Sequence, residues 1–339
     1  MRRTGYKSDL KPGIGPERFL TDSEDRDNYL FLLDLRDRIR DWLKLRGYLE
    51  VLVPTISPET APDLNLESMP VIFQSVFNPA YKRNVYLQPS PELLMKRLIV
   101  SGFEKIFYLG SAYRQGELGE AHNPEFTMIE WYHRLADYQD LMVELISLLK
   151  ELSPDLIGQV EKISLREAFL EFSGLDILKL KNRASLASAI KKKIPYFKSK
   201  GFSWEELFEF AFSQWLIPEL EKRRAVLIYD WPQELSTQAK LKSQESGLCE
   251  RFELYLKGIE VANGYTELSD ARGLEKKFKR EQARRRKAGK VVLPLPGRFL
   301  ESIKSGFPEC AGVSLGLERL AMAILGIANL DKLLPFREI

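Results

Sequence analysis

The chain has 339 residues, 44% of them hydrophobic, with 51 basic and 48 acidic side chains and a net charge of +3. That suffices for one large core or two modest ones, and so small a net charge gives no general argument for nucleic acid. No apolar run is long enough for a membrane-spanning helix, and the charged start Met1-Arg2-Arg3-Thr4 lacks the apolar stretch of a secretory signal.

Two cysteines, Cys249 and Cys310, and two histidines, His122 and His133, are too few and too scattered for a disulfide framework or a zinc site. A soluble protein of the reducing cytoplasm is expected. Residues 1–27 contain Gly5, Lys11-Pro12-Gly13 and Gly15-Pro16 with few apolar anchors, which predicts a flexible arm ahead of a folded unit spanning 28–339. Leu32, Leu35, Ile39, Trp42 and Leu43 recur at helical spacing, with Gly47 placed to end the helix and a strand expected from Tyr48 to Pro54. Pro91 followed by Glu92 opens a second helix with proline in the first turn and an acid near the positive end.

The stretch from Ile106 to Tyr132 reads as strand, polar loop, strand. Alternation places Phe126, Met128, Glu130 and Tyr132 on one sheet face, and aromatics sharing a face with a carboxylate suggest a site more than a core. Beyond a helix near 140–152, Ser164 with Glu167 and Ser203 with Glu206 form capping boxes, so residues of about 155–222 are expected to be an all-helical insertion separate from the sheet. A two-residue hairpin at Lys257-Gly258 would pair 256 with 259, 255 with 260 and 253 with 262, bringing Glu253 and Glu260 onto one face where they could share a divalent cation. Residues 275–290 are rich in Lys and Arg and predict an exposed helix, either simply solvated, docking an acidic protein partner or contacting an RNA backbone. Residues 310–325 read as a Gly-bearing strand running into an apolar helix, with Arg319 near the junction.

Three separated elements then line up: the helix and strand ending at Pro54, the hairpin hinged on Arg114, and Gly316-Leu317-Glu318-Arg319. Together they resemble the three motifs of the class II aminoacyl-tRNA synthetases. The stretches His122-Asn123-Pro124-Glu125-Phe126-Thr127-Met128 and Lys257 to Leu268 resemble the lysyl branch in particular. The resemblance implies an α+β fold: a mainly antiparallel sheet of six to seven strands flanked by helices. Fewer than 30 residues precede the first motif, less than an anticodon-binding domain needs. The chain therefore resembles the lysyl-tRNA synthetase paralogues that act as elongation factor P lysine ligases. That implies activation of lysine or β-lysine by ATP with Mg2+, transfer to a lysine of elongation factor P, a homodimer, with Trp42 and its neighbours forming core or the dimer seam, and no role expected for tRNA. The alternatives are a synthetase that charges tRNA without an anticodon domain, and a non-catalytic regulatory paralogue.

The resemblance also assigns roles by position. Arg114 would bridge the α-phosphate and the amino-acid carboxylate, and Arg319 would hold the γ-phosphate. Phe126 would stack on adenine, and His122 and Asn123 would order the loop. Gln115, Gly116, Glu117, Leu254 and Gly316 fall at nucleotide-binding positions. Glu253 and Glu260 match the magnesium carboxylates. Glu92, next to Ser90, would receive the α-ammonium, Asn263 would contact the carboxylate end, and Glu267 with Tyr132 would read the distal ammonium; Glu260 and Ser314 complete the amino-acid side. Two positions depart from the family. Gly116 stands where an acid is usual, with Glu117 next, and Ser314 stands where lysyl synthetases commonly have glycine and the ligases alanine.

Overall fold

A computed structural model describes residues 23–154, 158, 160–242 and 247–337. Most of the expected arm, residues 1–22, lies outside them. Residues 23–27 are helical, because helix α1 (Ser23–Leu45) begins with Glu24 and Asp25 at its positive end.

Short strands β1 (Leu49–Glu50) and β2 (Ile56–Ser57) follow, then β3 (Met69–Gln74), β4 (Lys82–Leu87) and helix α2 (Glu92–Val100). The long hairpin is β5 (Lys105–Tyr113) and β6 (Glu125–Arg134), with α3 (Tyr138–Leu152) behind it. Next come β7 (Glu161–Ser164), α4 (Leu165–Ser173), α5 (Arg183–Lys193), α6 (Trp204–Ala211) and α7 (Ile217–Glu221), the last two joined by a π-helical turn. Strands β8 (Ala225–Pro232), β9 (Leu248–Leu256) and β10 (Ile259–Thr266), helices α8 (Ala271–Lys287) and α9 (Gly297–Lys304), β11 (Cys310–Gly316) and α10 (Leu317–Leu325) complete the chain.

The main sheet has eight strands in the order β1-β5-β6-β11-β10-β9-β8-β7, while β2-β4-β3 form a separate small sheet. Only the outermost pairs, β1 with β5 and β7 with β8, are parallel. The 155–222 stretch is thus not helical throughout: residues 161–164 contribute an edge strand to the main sheet. Its helices are not separate from the sheet either, since Leu165, Phe169, Leu207, Phe208 and Phe212 pack on Val226, Ile228 and Tyr255. Both capping boxes form as expected, and each serine side chain accepts from the backbone N–H of its glutamate.

One sheet face is fully covered. Alternate residues Phe107, Ile129, Trp131, Leu254, Val313 and Leu315 meet Leu35, Ile39 and Trp42 of α1, Leu145 and Leu148 of α3, and Leu320 of α10. The opposite face is covered only towards its edges. Helices α2, α8 and α9 pack over Ile106, Tyr108 and Tyr132 on one side, and the insertion helices pack over β8 and β9 on the other. The middle strands β11 and β10 present Ser314, Gly316 and Asn263 between these two groups, and this gap is where the site lies.

The hairpin register carries a correction. Leu256 opposes Ile259 and Tyr255 opposes Glu260 as expected, but the register then shifts, so Leu254 opposes Ala262 and Glu253 opposes Asn263. The bulge at Val261 absorbs one residue. Glu253 and Glu260 still share a face, and Asn263 joins them on it. The basic helix α8 is also less exposed than expected. Arg285 is fully buried, with Nε donating to Val291 O at 2.7 Å, Nη1 to Asp63 O at 2.5 Å and Nη2 to Glu67 Oε2 at 2.6 Å. Here the charge is used inside the molecule, against a loop that needs donors.

Candidate active site

The β5–β6 hairpin places the first group. Arg114 follows the last residue of β5, and its guanidinium lies 5.0 Å from the centre of the Phe126 ring, the start of β6 bringing the two together. Arg114 Nη1 reaches Glu117 Oε1 at 3.6 Å. Gly116 lies between them with φ of +83°, a left-handed conformation that a glutamate would adopt only under strain. The departure at this position therefore has a backbone reason, and the acid beside Arg114 here is the next residue, Glu117. Gln115 N–H is held by Glu67 O at 2.8 Å. In the loop, Asn123 Nδ2 donates to Glu125 O at 2.7 Å.

Helix α10 supplies the facing cation. Gly316 precedes its first turn, and Glu318 is tied to β6 by accepting from Thr127 N–H at 2.9 Å. Arg319 Nη2 meets His122 Nε2 at 2.6 Å, and Arg319 Nη1 donates to Glu260 O at 3.3 Å. Since guanidinium can only donate, His122 accepts at Nε2 and is neutral. Burial, and then the Arg319 charge, hold its pKa below the usual histidine value. Two arginines, Arg114 and Arg319, thus both lie near enough to His122 for their charges to act on it, a pair suited to a polyanion.

Beside them lies an acidic cluster. Glu253 Oε1 accepts from Arg251 Nη2 and its Oε2 from Tyr255 O–H at 2.5 Å, while Asn263 Nδ2 stands 3.5 Å from Oε1. Burial, reinforced by Glu260 and opposed by Arg251, pushes Glu253 up to about 8. Among the described residues no group of three or more His, Cys, Asp or Glu converges as a metal cage. Mg2+ does not need one, because it commonly takes one or two carboxylates and completes its shell with phosphate oxygens and water. Two carboxylates on one face beside a polyanion site fit that ion. Leu254 lies between them in sequence but points into the core, so only its main chain reaches this side.

The second pocket lies deeper, under α2. Glu130 is buried and fully satisfied: Ser90 Oγ donates to its Oε2 and Tyr132 O–H to its Oε1, each at 2.7 Å. The Tyr132 ring is admitted by Gly312 opposite it on β11, where any Cβ would collide with the ring. Glu92 and Glu267 both hold Lys96 Nζ at 2.5 Å, and Tyr265 O–H donates to Glu92. Ser314, opposite both Glu130 and Asn263, turns its hydroxyl to Asn263 O at 3.3 Å.

Two carboxylates, Glu92 and Glu267, therefore share one ammonium, and a third, Glu130, lies near them in a place with almost no water: Glu130 is 3%, Glu267 2% and Lys96 0% exposed. Burial, then Glu92, lifts Glu130 to about 7. Burial lifts Glu267 to about 8 against the pull of Lys96. Neither Glu267 oxygen has a hydrogen-bond donor of good geometry beyond the ion pair, although buried acceptors as a rule have one. The pocket is short of cations and donors, and a ligand that brings ammonium groups would supply both.

The sequence pattern of the family described as tRNA synthetases class II (D, K and N) matches residues 23–338. The chain belongs to that family. The α+β architecture, a large mainly antiparallel sheet flanked by helices, is that of a class II synthetase catalytic domain, and membership carries an ATP-dependent, aminoacylation-type ligase activity.

Of the residues singled out on sequence in this synthetase domain, Tyr132, Ser314, Asn263, Glu253 and Glu260 share one face of the sheet by register, while Leu254 turns its side chain into the core. Tyr132, expected with Glu267, donates to Glu130 and lies near enough to Glu267 for that charge to act on its hydroxyl. Sequence reasoning assigned no role to Lys96, Glu130, Tyr265 or Arg251, yet each touches an expected site residue. Their signals are local: Lys96 is four residues after Glu92 on a helix, Glu130 two before Tyr132 on a strand, and Arg251 two before Glu253.

Proposed function

We propose that this enzyme activates lysine or β-lysine with ATP as the aminoacyl-adenylate and transfers it to a lysine side chain of elongation factor P. The observation that carries the amino-acid half is the pocket of Glu92, Glu130 and Glu267 with a single lysine among them. A substrate with two ammonium groups pairs with these raised-pKa carboxyls and draws them into their charged form, whereas a neutral side chain gains no ion pair there and leaves them protonated.

Arg114 stands between the two anionic reactants, over Phe126, and draws the amino-acid carboxylate to the α-phosphate. The carboxylate oxygen attacks phosphorus and pyrophosphate leaves. Arg319 holds the far phosphate, and Glu253 and Glu260 would hold a divalent ion, which would supply neutralising charge to the leaving group. Gln115, Glu117, Asn123 and Gly316 shape the nucleotide side; Ser90, Asn263 and Ser314 shape the amino-acid side. The Ser314 hydroxyl is engaged by main chain, so the residue presents little more bulk than alanine. In the transfer step the acceptor amine forms a bond to the carbonyl carbon as the bond to AMP breaks. His122 Nε2 is already engaged by Arg319, so we assign the amine's proton to a phosphate oxygen of the adenylate.

For the acceptor, the resemblance to the elongation factor P lysine ligases supports a protein lysine. The second reading is tRNA, the substrate that the family's description names. Among the described residues no helix is long and apolar enough to cross a membrane, consistent with action in the cytoplasm on a translation factor.

The test is ATP–pyrophosphate exchange dependent on lysine and on β-lysine, followed by transfer assays offering elongation factor P and tRNA separately. Exchange with at least one of the two amino acids and labelling of the protein acceptor are expected, and Arg114→Ala abolishes exchange. No exchange with either amino acid would refute the activation step; labelling of tRNA alone would refute the acceptor. Retained exchange in the Arg114 variant would remove that residue from its place between the reactants.

A further inference from the structure

The nucleotide loop of the β5–β6 hairpin is gripped from outside the site. At Gly119–His122 the loop folds back on itself, each backbone N–H donating to the other residue's carbonyl, at 3.1 and 3.2 Å. Two backbone bonds on an otherwise polar, irregular connection do not fix its height over the sheet. The segment after α10 adds the rest. Leu330 N–H donates to Glu120 O at 2.8 Å. Arg337 lays its guanidinium along the same turn: Nη2 donates to Gly119 O and, at 3.0 Å, to His122 O, while Nε reaches Asn123 Oδ1 at 3.3 Å. The other side of the fork is anchored by Asp331 Oδ1 at 2.7 Å and Asn329 Oδ1 at 3.4 Å. Asn329 in turn caps the 3-10 turn at Leu330–Lys332.

The Arg337 side chain is 9% exposed and every one of its guanidinium nitrogens has a partner, so this is a built contact and not a surface side chain resting where space allows. Its consequence lies one residue further in. Gripping His122 by its carbonyl and Asn123 by its side chain sets where the His122 imidazole stands, and that ring meets Arg319 at 2.6 Å. We propose that Arg337 is a positioning residue for nucleotide binding: it clamps the Gly119–Asn123 turn and through His122 fixes Arg319. A loop held in advance costs a ligand less ordering entropy than one that ligand must itself arrange. The inference rests on the nucleotide side of the reading above and is independent of which amino acid or acceptor is used.

The test is therefore ATP binding by titration calorimetry with Mg2+ and no amino acid or acceptor, so an error about either leaves the readout intact. Arg337→Ala is expected to weaken ATP at least roughly tenfold, the loss of one charge-assisted hydrogen bond's worth of preorganisation. In exchange kinetics the KM for ATP rises with it while the KM for the amino acid stays within about twofold, and Arg337→Lys recovers part of the loss. Hydrogen exchange at the amides of residues 119–123 quickens selectively. ATP affinity within twofold of wild type in Arg337→Ala would overturn the proposal. So would an equal loss for ATP and amino acid, or faster exchange throughout the sheet, since either outcome describes general loosening of the fold. Should the alanine variant not fold, Arg337→Lys alone gives the same comparison.

Discussion

Lys96 shows how much a single buried charge decides. It is fully enclosed, and burial by itself would drive its ammonium towards neutrality, but Glu267 and Glu92 outweigh that and hold its pKa above the usual lysine value. Replacing it with methionine removes the charge and leaves Glu92 and Glu267 facing one another. The expected loss of stability near neutral pH is about 3–5 kcal/mol, the range for removing one partner of a buried ion pair. The pH dependence has a definite sign. Glu267 has a folded pKa of about 8, raised above its unfolded value, so between roughly 4.5 and 8 the folded state holds more protons than the unfolded one and stability falls as pH rises. Without Lys96 that pKa climbs further. Urea denaturation of Lys96→Met is therefore expected to show a smaller deficit at pH 5, where Glu267 is protonated, and a larger one at pH 8. Equal deficits at both pH values would show that the lysine acts by filling space. None of this was legible before the fold. Glu92 and Lys96 sit four apart on a helix, a spacing that usually means a solvated surface pair, and only the arrival of Glu267 from β10 turns it into a buried triad.

At the scale of elements, local chemistry was readable and register was not. The capping boxes at Ser164 and Ser203 and the strand passing into a helix at Gly316 are written in adjacent residues, and they form where the spacing puts them. The bulge at Val261 is a compromise between two strands, and nothing in residues 252–262 marks it. Strand β7 was missed because four residues flanking a capping box carry too little periodicity to read. Helix α8 gives the clearest case. Its run Arg284-Arg285-Arg286-Lys287 looks uniform, yet Arg285 faces inward and carries the Asp63–Glu67 loop, whose Glu67 carbonyl holds the Gln115 N–H beside Arg114. Arg286 and Lys287 are exposed. Arg285→Met leaves three carbonyls without their donor and the Glu67 carboxylate with Lys290 alone, and is expected to cost about 3 kcal/mol or more. Arg286→Glu and Lys287→Glu should stay within about 0.5 kcal/mol of wild type. Chemical denaturation of the three variants decides it; similar midpoints for all three would place Arg285 among the solvated charges. Any docking role for this helix belongs to the exposed pair, and reversing the whole run would confuse docking with folding.

The whole molecule leaves one surface unexplained by the site. The chain after α1 exposes Leu49, Leu52 and Ile56 in quick succession, and the small sheet that β2 joins exposes Ile72 and, at its β3–β4 turn, Val76 and Phe77. Leu52 is 95% and Phe77 97% exposed. Single exposed apolar residues are ordinary, but a run of them along one segment and the sheet it enters marks a contact surface. This segment is also the end of the first motif, where the resemblance to class II synthetases expects a two-fold seam, and an isologous contact would bury each residue twice over. The proposed homodimer is checked by sedimentation velocity. The wild type is expected to run as one species of about twice the 39.2 kDa chain mass across micromolar concentrations. Leu52→Asp with Phe77→Asp places charge where apolar surface would be covered and is expected to yield a species of single-chain mass with unchanged circular dichroism. A wild type that sediments as a single chain at tens of micromolar would rule the dimer out. A dimer that survives both aspartates would move the seam elsewhere on the molecule.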